Sequence, residues 1–71
     1  MDAVEWIARY AERVGLSPPT EDEFGQILEL AGIAAHASER VAAPVACWLA
    51  AASGLTLGDA LDAAREIAPG D

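Results

Sequence analysis

The stretch AAHASERVAAPVACWLAAASG, residues 34–54, decides how this chain folds. Its first half contains the chain's one histidine and an adjacent Glu-Arg pair, and its second half contains a proline followed by a run without charge. Pro44 is best placed in the first turn of a helix, where its missing N–H donor is not needed. We therefore predict a corner over residues 38–43, with Pro44 as its structural residue, and a helix over residues 43–53.

The predicted helix over residues 43–53 is apolar on every side. In a soluble protein such a helix is enclosed by its neighbours. We expect it either to form the central rod of the fold or to lend one face to a second subunit, with Trp48 as its largest core side chain. The uncharged run continues to Gly58, but Pro44, Gly54 and the alanines between them favour a buried helix over a membrane span.

Three amphipathic segments accompany this helix. The first covers residues 1–14 and ends at Gly15 in a Schellman motif. The capping box Thr20-x-x-Glu23 begins the second, and the weaker Thr56-x-x-Asp59 begins the last, which Pro69-Gly70-Asp71 ends. The side chains expected to face the core are Val4, Trp6, Ile7, Ala8, Tyr10, Ala11, Val14, Phe24, Ile27, Leu28, Leu30, Ala31, Ala34, Ala35, Leu57, Ala60, Leu61, Ala64, Ile67 and Ala68.

The fold class that follows is all-α. Strand signals are absent from the pattern, and short connections favour antiparallel neighbours. Seventy-one residues make a single helical domain, residues 1–71. We predict a compact bundle of four short helices in which the third is apolar and central.

Charge excludes two classes of partner. The net charge is −8 and no lysine is present. Nucleic-acid binding depends on lysine and arginine that release counterions from phosphates, so it is not expected. The same sign disfavours an anionic membrane surface. The opening MDAVEW is acidic where a secretory signal is basic, which predicts a cytoplasmic protein.

Cysteine and histidine counts limit how so small a domain is stabilised. One cysteine cannot close an internal disulfide, and one cysteine with one histidine cannot hold a four-ligand zinc ion. We expect no metal and no cofactor. Oligomerisation remains as a common way of stabilising a domain of this size, and a homodimer stays an open alternative.

Catalysis is not expected. A nucleophilic pair of Cys47 and His36 needs a thiolate in polar or positive surroundings. Cys47 instead lies between Ala46 and Trp48 on the apolar helix, which indicates a buried structural cysteine.

The carboxylates fall mainly on outer helix faces, where solvation is the usual role. An acyl carrier would need a serine at the start of its second helix, and none is there.

His36, Glu39 and Arg40 gather at the predicted corner. In a structural interpretation, His36 and Arg40 satisfy the last carbonyls of the second helix while Glu39 holds Arg40. In a functional interpretation, Arg40 binds a phosphate or carboxylate, His36 is a second donor, and Trp48 is an apolar wall.

Two glycines lie on the outer side of the second helix. Gly25 and Gly32 follow one stripe with Asp22, Glu29 and His36. Each glycine inside a helix costs about 1 kcal/mol relative to alanine, and such a cost often has a packing reason. The stripe is either plain helix surface with two tolerated glycines or a docking groove.

The segments 27–31 (ILELA), 35–40 (AHASER) and 42–45 (AAPV), followed by the apolar helix, carry a family resemblance. The chain resembles a family of short all-helical proteins from high-GC Gram-positive bacteria. Members occur alone or fused to molybdenum cofactor guanylyltransferases, so the resemblance implies a pathway and no activity.

The positions that are distinctive of this family lie at the predicted corner. The motif residues carried over are His36, Glu39, Arg40 and Pro44, while Val41 stands where many relatives have a proline. It implies a non-catalytic accessory or docking module, with a molybdenum cofactor guanylyltransferase as partner. Two alternatives stay open. One is a binder of a small anionic ligand, such as a pterin or nucleotide, and the other is a self-associating helical protein with a structural role only.

Overall fold

The computed structural model describes residues 1–67, and these contain four helices and no strand. The helices are α1 (Ala3–Arg13), α2 (Glu21–Ala37), α3 (Ala42–Ser53) and α4 (Leu57–Ile67). This confirms the all-α class and the bundle of four short helices. The predicted end of the last helix, with Ala68 and residues 69–71, lies outside the described residues.

The end of α1 is a Schellman motif, as predicted. Gly15 has a φ of 84°, the left-handed conformation that glycine adopts without a Cβ penalty. The N–H of Leu16 donates to the carbonyl of Ala11 at 2.8 Å, and the N–H of Gly15 donates to that of Glu12 at 3.1 Å. These are the two hydrogen bonds that define the motif.

The starts of α2 and α4 use the predicted threonines. Thr20 Oγ1 accepts from the N–H of Glu23 at 3.1 Å, and Glu23 Oε1 accepts from the N–H of Thr20 at 2.8 Å, so the capping box is complete. Thr56 Oγ1 accepts from the N–H of Asp59 at 3.1 Å. Gly54, with a φ of 79°, ends α3. Short polar motifs therefore set the helix boundaries.

The centre of the bundle is α2. It packs against both α3 and α4. Residues 30–35 are all buried or half-buried, so this segment is the most covered part of α2. Leu30 and Leu61 are each only 4% exposed, with Ala60 buried beside Leu61. α1 adds a narrow contact through the buried Ala11.

The apolar helix α3 lies at the outside of the bundle, so the expectation that it forms the central rod is not met. It has no fully buried residue, and Trp48 is 70% exposed, so the placement of Trp48 in the core is wrong. The reason is geometric: small side chains allow α3 to lie against α2, and the large ones are left outside. Its half-buried residues are Ala42, Ala43, Ala46, Cys47 and Ala50.

The expected core face of α1 is also largely exposed. Trp6 and Tyr10 are each 54% exposed. Their rings stack on one another, with centroids 5.3 Å apart and planes 17° apart, so each covers the other instead of the core. Other side chains that were expected in the core and are exposed are Val4, Ala8, Val14, Leu28 and Ile67.

Within residues 1–67, none of the helices combines the length and apolar character that a bilayer crossing needs. The most apolar helix, α3, has 12 residues.

Two leucines of α2 test which side of this helix holds the core. Leu30→Ala should lower the free energy of unfolding by about 2 to 5 kcal/mol, the usual cost of removing a buried leucine. Leu28→Ala is the matched control because Leu28 is 59% exposed on the same helix, and it should cost less than about 1 kcal/mol. Urea titrations of both variants give the two values. Equal losses would contradict the packing described for α2.

Candidate functional site

The corner between α2 and α3 is a link over residues 38–41. Ser38 closes α2, because its N–H and its Oγ both donate to the carbonyl of Ala34, at 3.2 and 3.0 Å. Val41 has a φ of −66°, within the range that a proline ring imposes. Pro44 lies in the first turn of α3, as predicted.

The backbone of the corner is satisfied without its charged side chains. The N–H of Ala42 donates to the carbonyl of Glu39 at 3.0 Å, and the N–H of Ala43 donates to that of Arg40 at 3.1 Å. The side chains of His36, Glu39 and Arg40 are exposed, and none of the three forms a hydrogen bond or ion pair with any residue in 1–67. The contacts that the structural interpretation requires are therefore not made within this part of the chain.

No close packing contact among the described residues explains the two glycines of the α2 stripe. A Cβ built on Gly25 or on Gly32 would meet no atom within 4 Å. Glu29, between them, forms an ion pair with Arg65 of α4, so the stripe runs along the border between α2 and α4. No other backbone of the described residues approaches the two glycines closely. The stripe is therefore either plain helix surface or a docking groove.

An apolar groove of about 400 Å³ opens between α2, α3 and α4. Leu30, Ile33 and Ala37 line it from α2, and Val45 and Leu49 line it from α3. Neither His36 nor Arg40 reaches it. The groove contains no positive side chain from the described residues, and it therefore suits apolar groups better than anions. Sequence reasoning missed this groove because it expected α3 to be enclosed.

The three parts of the predicted anion site lie on different elements: His36 is in α2, Arg40 is in the link and Trp48 is in α3. Trp48 lies six residues beyond Ala42, a rise of about 9 Å along α3. Neither Arg40 nor Trp48 lines the apolar groove between α2, α3 and α4. His36 and Arg40 share the corner with Glu39, while Trp48 belongs to the outer face of the next helix.

Cys47 has the environment of a structural thiol. It is half-buried, and its S–H donates a long hydrogen bond of 3.8 Å to the carbonyl of Ile27. Burial raises the pKa of the Cys47 thiol, which is the opposite of what a nucleophile needs. No cluster of ligands that could hold a metal ion occurs among residues 1–67.

The raised pKa of Cys47 predicts how stability depends on pH. The folded chain favours the neutral thiol, so this contribution is intact below the ordinary value of 9.0 and is lost as the pH rises above it. Wild type should therefore lose more stability than Cys47→Ala between neutral and strongly alkaline pH. Thermal unfolding of both proteins across that range measures the difference. Parallel curves would contradict the burial of the thiol.

Comparison with known proteins places the chain in a family without assigning an activity. No curated protein and no solved structure matches it. Over residues 1–70 it matches the family model described as "Domain of unknown function (DUF6457)". A single family model thus covers the helical bundle from α1 to α4 together with the corner. The chain belongs to the DUF6457 family.

Proposed function

We propose that this chain is a non-catalytic docking module whose corner binds a protein partner, and that the partner is a molybdenum cofactor guanylyltransferase. The observation that carries the proposal is the state of the corner. His36, Glu39 and Arg40 expose their side chains together, and within residues 1–67 they have no partner. Because backbone groups and Ser38 already complete the turn, these side chains are available for another molecule.

Arg40 is the residue best suited to anchor the contact. It is the one positive side chain between Arg13 and Arg65 in a chain of net charge −8. A guanidinium carries five donors in a planar fork that matches a carboxylate, and arginine is enriched among residues that dominate interface energies. A partner carboxylate opposite Arg40 would be held there, with His36, in the last turn of α2, as a second donor.

The identity of the partner follows from the resemblance stated above. The resemblance implies that members of the family occur alone or fused to molybdenum cofactor guanylyltransferases, and fusion would keep a small helical domain beside the enzyme. A member that is not fused would need a surface that achieves the same proximity. The corner offers that surface because its charged groups are not used by the fold.

The alternative, a small anionic ligand bound by Arg40 and His36, has less support. The groove beside the corner is apolar, and neither residue lines it. A pterin or nucleotide would then be held by two exposed side chains without an enclosing wall. A protein surface supplies that wall itself, so protein docking fits the geometry better.

Arg40→Ala tests the docking role against a structural one. The variant should keep its melting temperature within about 3 °C of wild type, because substitutions at exposed sites without contacts change stability by about half a kcal/mol or less. It should lose co-purification with a molybdenum cofactor guanylyltransferase from the same organism.

The matched control is Arg13→Ala, which makes the same change in charge on α1, far along the chain from the corner. Arg13→Ala should bind like wild type. Absence of wild-type binding would remove the partner, and equal binding by both variants would remove Arg40 from the role.

The glycine stripe allows an independent test. Gly25→Ala and Gly32→Ala have room for the added methyl group and should each stabilise α2 by up to about 1 kcal/mol. If the stripe is part of the docking surface, the same changes should weaken binding of the partner. Unfolding titrations and co-purification measure the two effects separately. Variants that are more stable and bind normally would show that the stripe is plain helix surface.

A further inference from the structure

A row of large apolar side chains follows the outer face of α3, and we call it the outer stripe. Its members are Val41, Val45, Trp48, Leu49 and Ala52, all of which are exposed. Positions 41, 45, 48 and 52 are spaced by four, three and four residues, the spacing by which two helices pack along a shared seam. The stripe therefore has the pattern of an interface, with no second helix against it among residues 1–67.

The degree of exposure is unusual for an isolated chain. Val41 and Trp48 are 71% and 70% exposed, and Val45 and Leu49 are each 57% exposed. Contiguous exposed apolar side chains of this size mark interaction sites in soluble proteins. Their neighbours on the inner face of α3 are small, so the large side chains of α3 lie on its outer face, where Val45 and Leu49 also border the groove.

The surface area of the chain also exceeds that of a self-sufficient domain. It exposes 5470 Å², whereas the scaling for monomeric globular proteins gives about 4,200 Å² at 7.3 kDa, an excess of about 1,300 Å². Each partner in a standard interface buries about 800 Å², and obligate dimers bury more. The excess belongs to the whole chain, including the exposed side chains of α1, and its size is comparable to one side of a dimer interface.

Charge indicates which molecule covers the stripe. Two chains of net charge −8 repel each other wherever their acidic faces meet. Residues 41–58 contain no charged side chain, so two copies that meet through α3 avoid this repulsion locally. A two-fold interface must also be complementary to itself, which a neutral apolar stripe satisfies and a patch of one charge does not.

We infer that α3 is a dimerisation helix that packs its outer stripe against the same stripe of a second copy. Trp48 is the anchor of this contact. Val45 and Leu49 belong both to the stripe and to the wall of the apolar groove, so the indole from each copy meets the mouth of the other's groove. A domain with four buried hydrophobic residues among those described gains its missing core in this way. The inference does not depend on the proposed docking role of the corner.

The first test is the mass in solution. Sedimentation equilibrium of wild type should give twice the 7.3 kDa of one chain. Trp48→Ala should weaken the dimer by about 30-fold or more, the effect of losing an interface hot spot. The matched control is Trp6→Ala, which removes an exposed tryptophan of α1 outside the stripe and should leave the dimer intact.

The second test does not need Trp48→Ala to fold. In a Trp6→Phe chain, Trp48 is the single tryptophan. Its emission should be blue-shifted at high concentration and move to longer wavelength on dilution as the indole becomes solvated. Thermal unfolding of the same chain should shift to higher temperature as its concentration rises.

A wild type that stays monomeric, with Trp48 solvated at every concentration, would overturn the inference. A dimer that survives Trp48→Ala with unchanged affinity would overturn it as well, because the contact would then lie elsewhere. Loss of the dimer would leave the co-purification assay with Arg40→Ala unaffected. Failure of this inference and failure of the docking proposal are therefore distinguishable.

Discussion

The structure depends on the packing of α2 between α3 and α4. Few large side chains are available in a chain whose apolar fraction consists largely of alanine. Leu30 of α2 and Leu61 of α4, each 4% exposed, are the largest buried side chains among residues 1–67. Alanine on the inner face of α3 lets this helix lie beside α2 without bulky contacts. The large side chains of α3 therefore stay at the surface. There they form the outer stripe and line part of the apolar groove.

Local sequence signals predicted the helix boundaries well because the interactions behind them are local. The capping box at Thr20, the Schellman ending at Gly15 and the position of Pro44 depend on residues within about four positions. Each of these motifs satisfies backbone groups that the helix end leaves open. Such signals do not depend on how the helices are later packed, so they were read correctly from the sequence.

The position of α3 was not predictable in the same way. A helix that is apolar all round carries no periodic signal for its inner face, so pattern alone does not decide whether it is central or peripheral. The small side chains of α3 face α2 and its large ones face outward, and this arrangement is visible only when the position of α2 is known. The sequence pattern was equally uninformative for Trp6 and Tyr10. Both were expected to face the core, but they stack on each other instead.

The same distinction between local and tertiary interactions applies to the candidate site. The corner residues were recognised from their type and spacing, and Ser38 and the backbone were found to complete the turn without them. The absence of contacts to His36, Glu39 and Arg40 within residues 1–67 is a tertiary property that no local pattern contains. Proximity of Trp48 to this group was inferred from sequence distance alone, and Trp48 lies on the exposed face of α3, six residues beyond its first residue.

Native-state hydrogen exchange measured by NMR tests most directly whether α2 forms the centre of the fold. Amides in the most covered helix open only by global unfolding and exchange most slowly. The account predicts the slowest exchange at residues 30–35 of α2, with faster exchange over the first turn of α3. Slowest exchange throughout α3, together with fast exchange at residues 30–35, would contradict it.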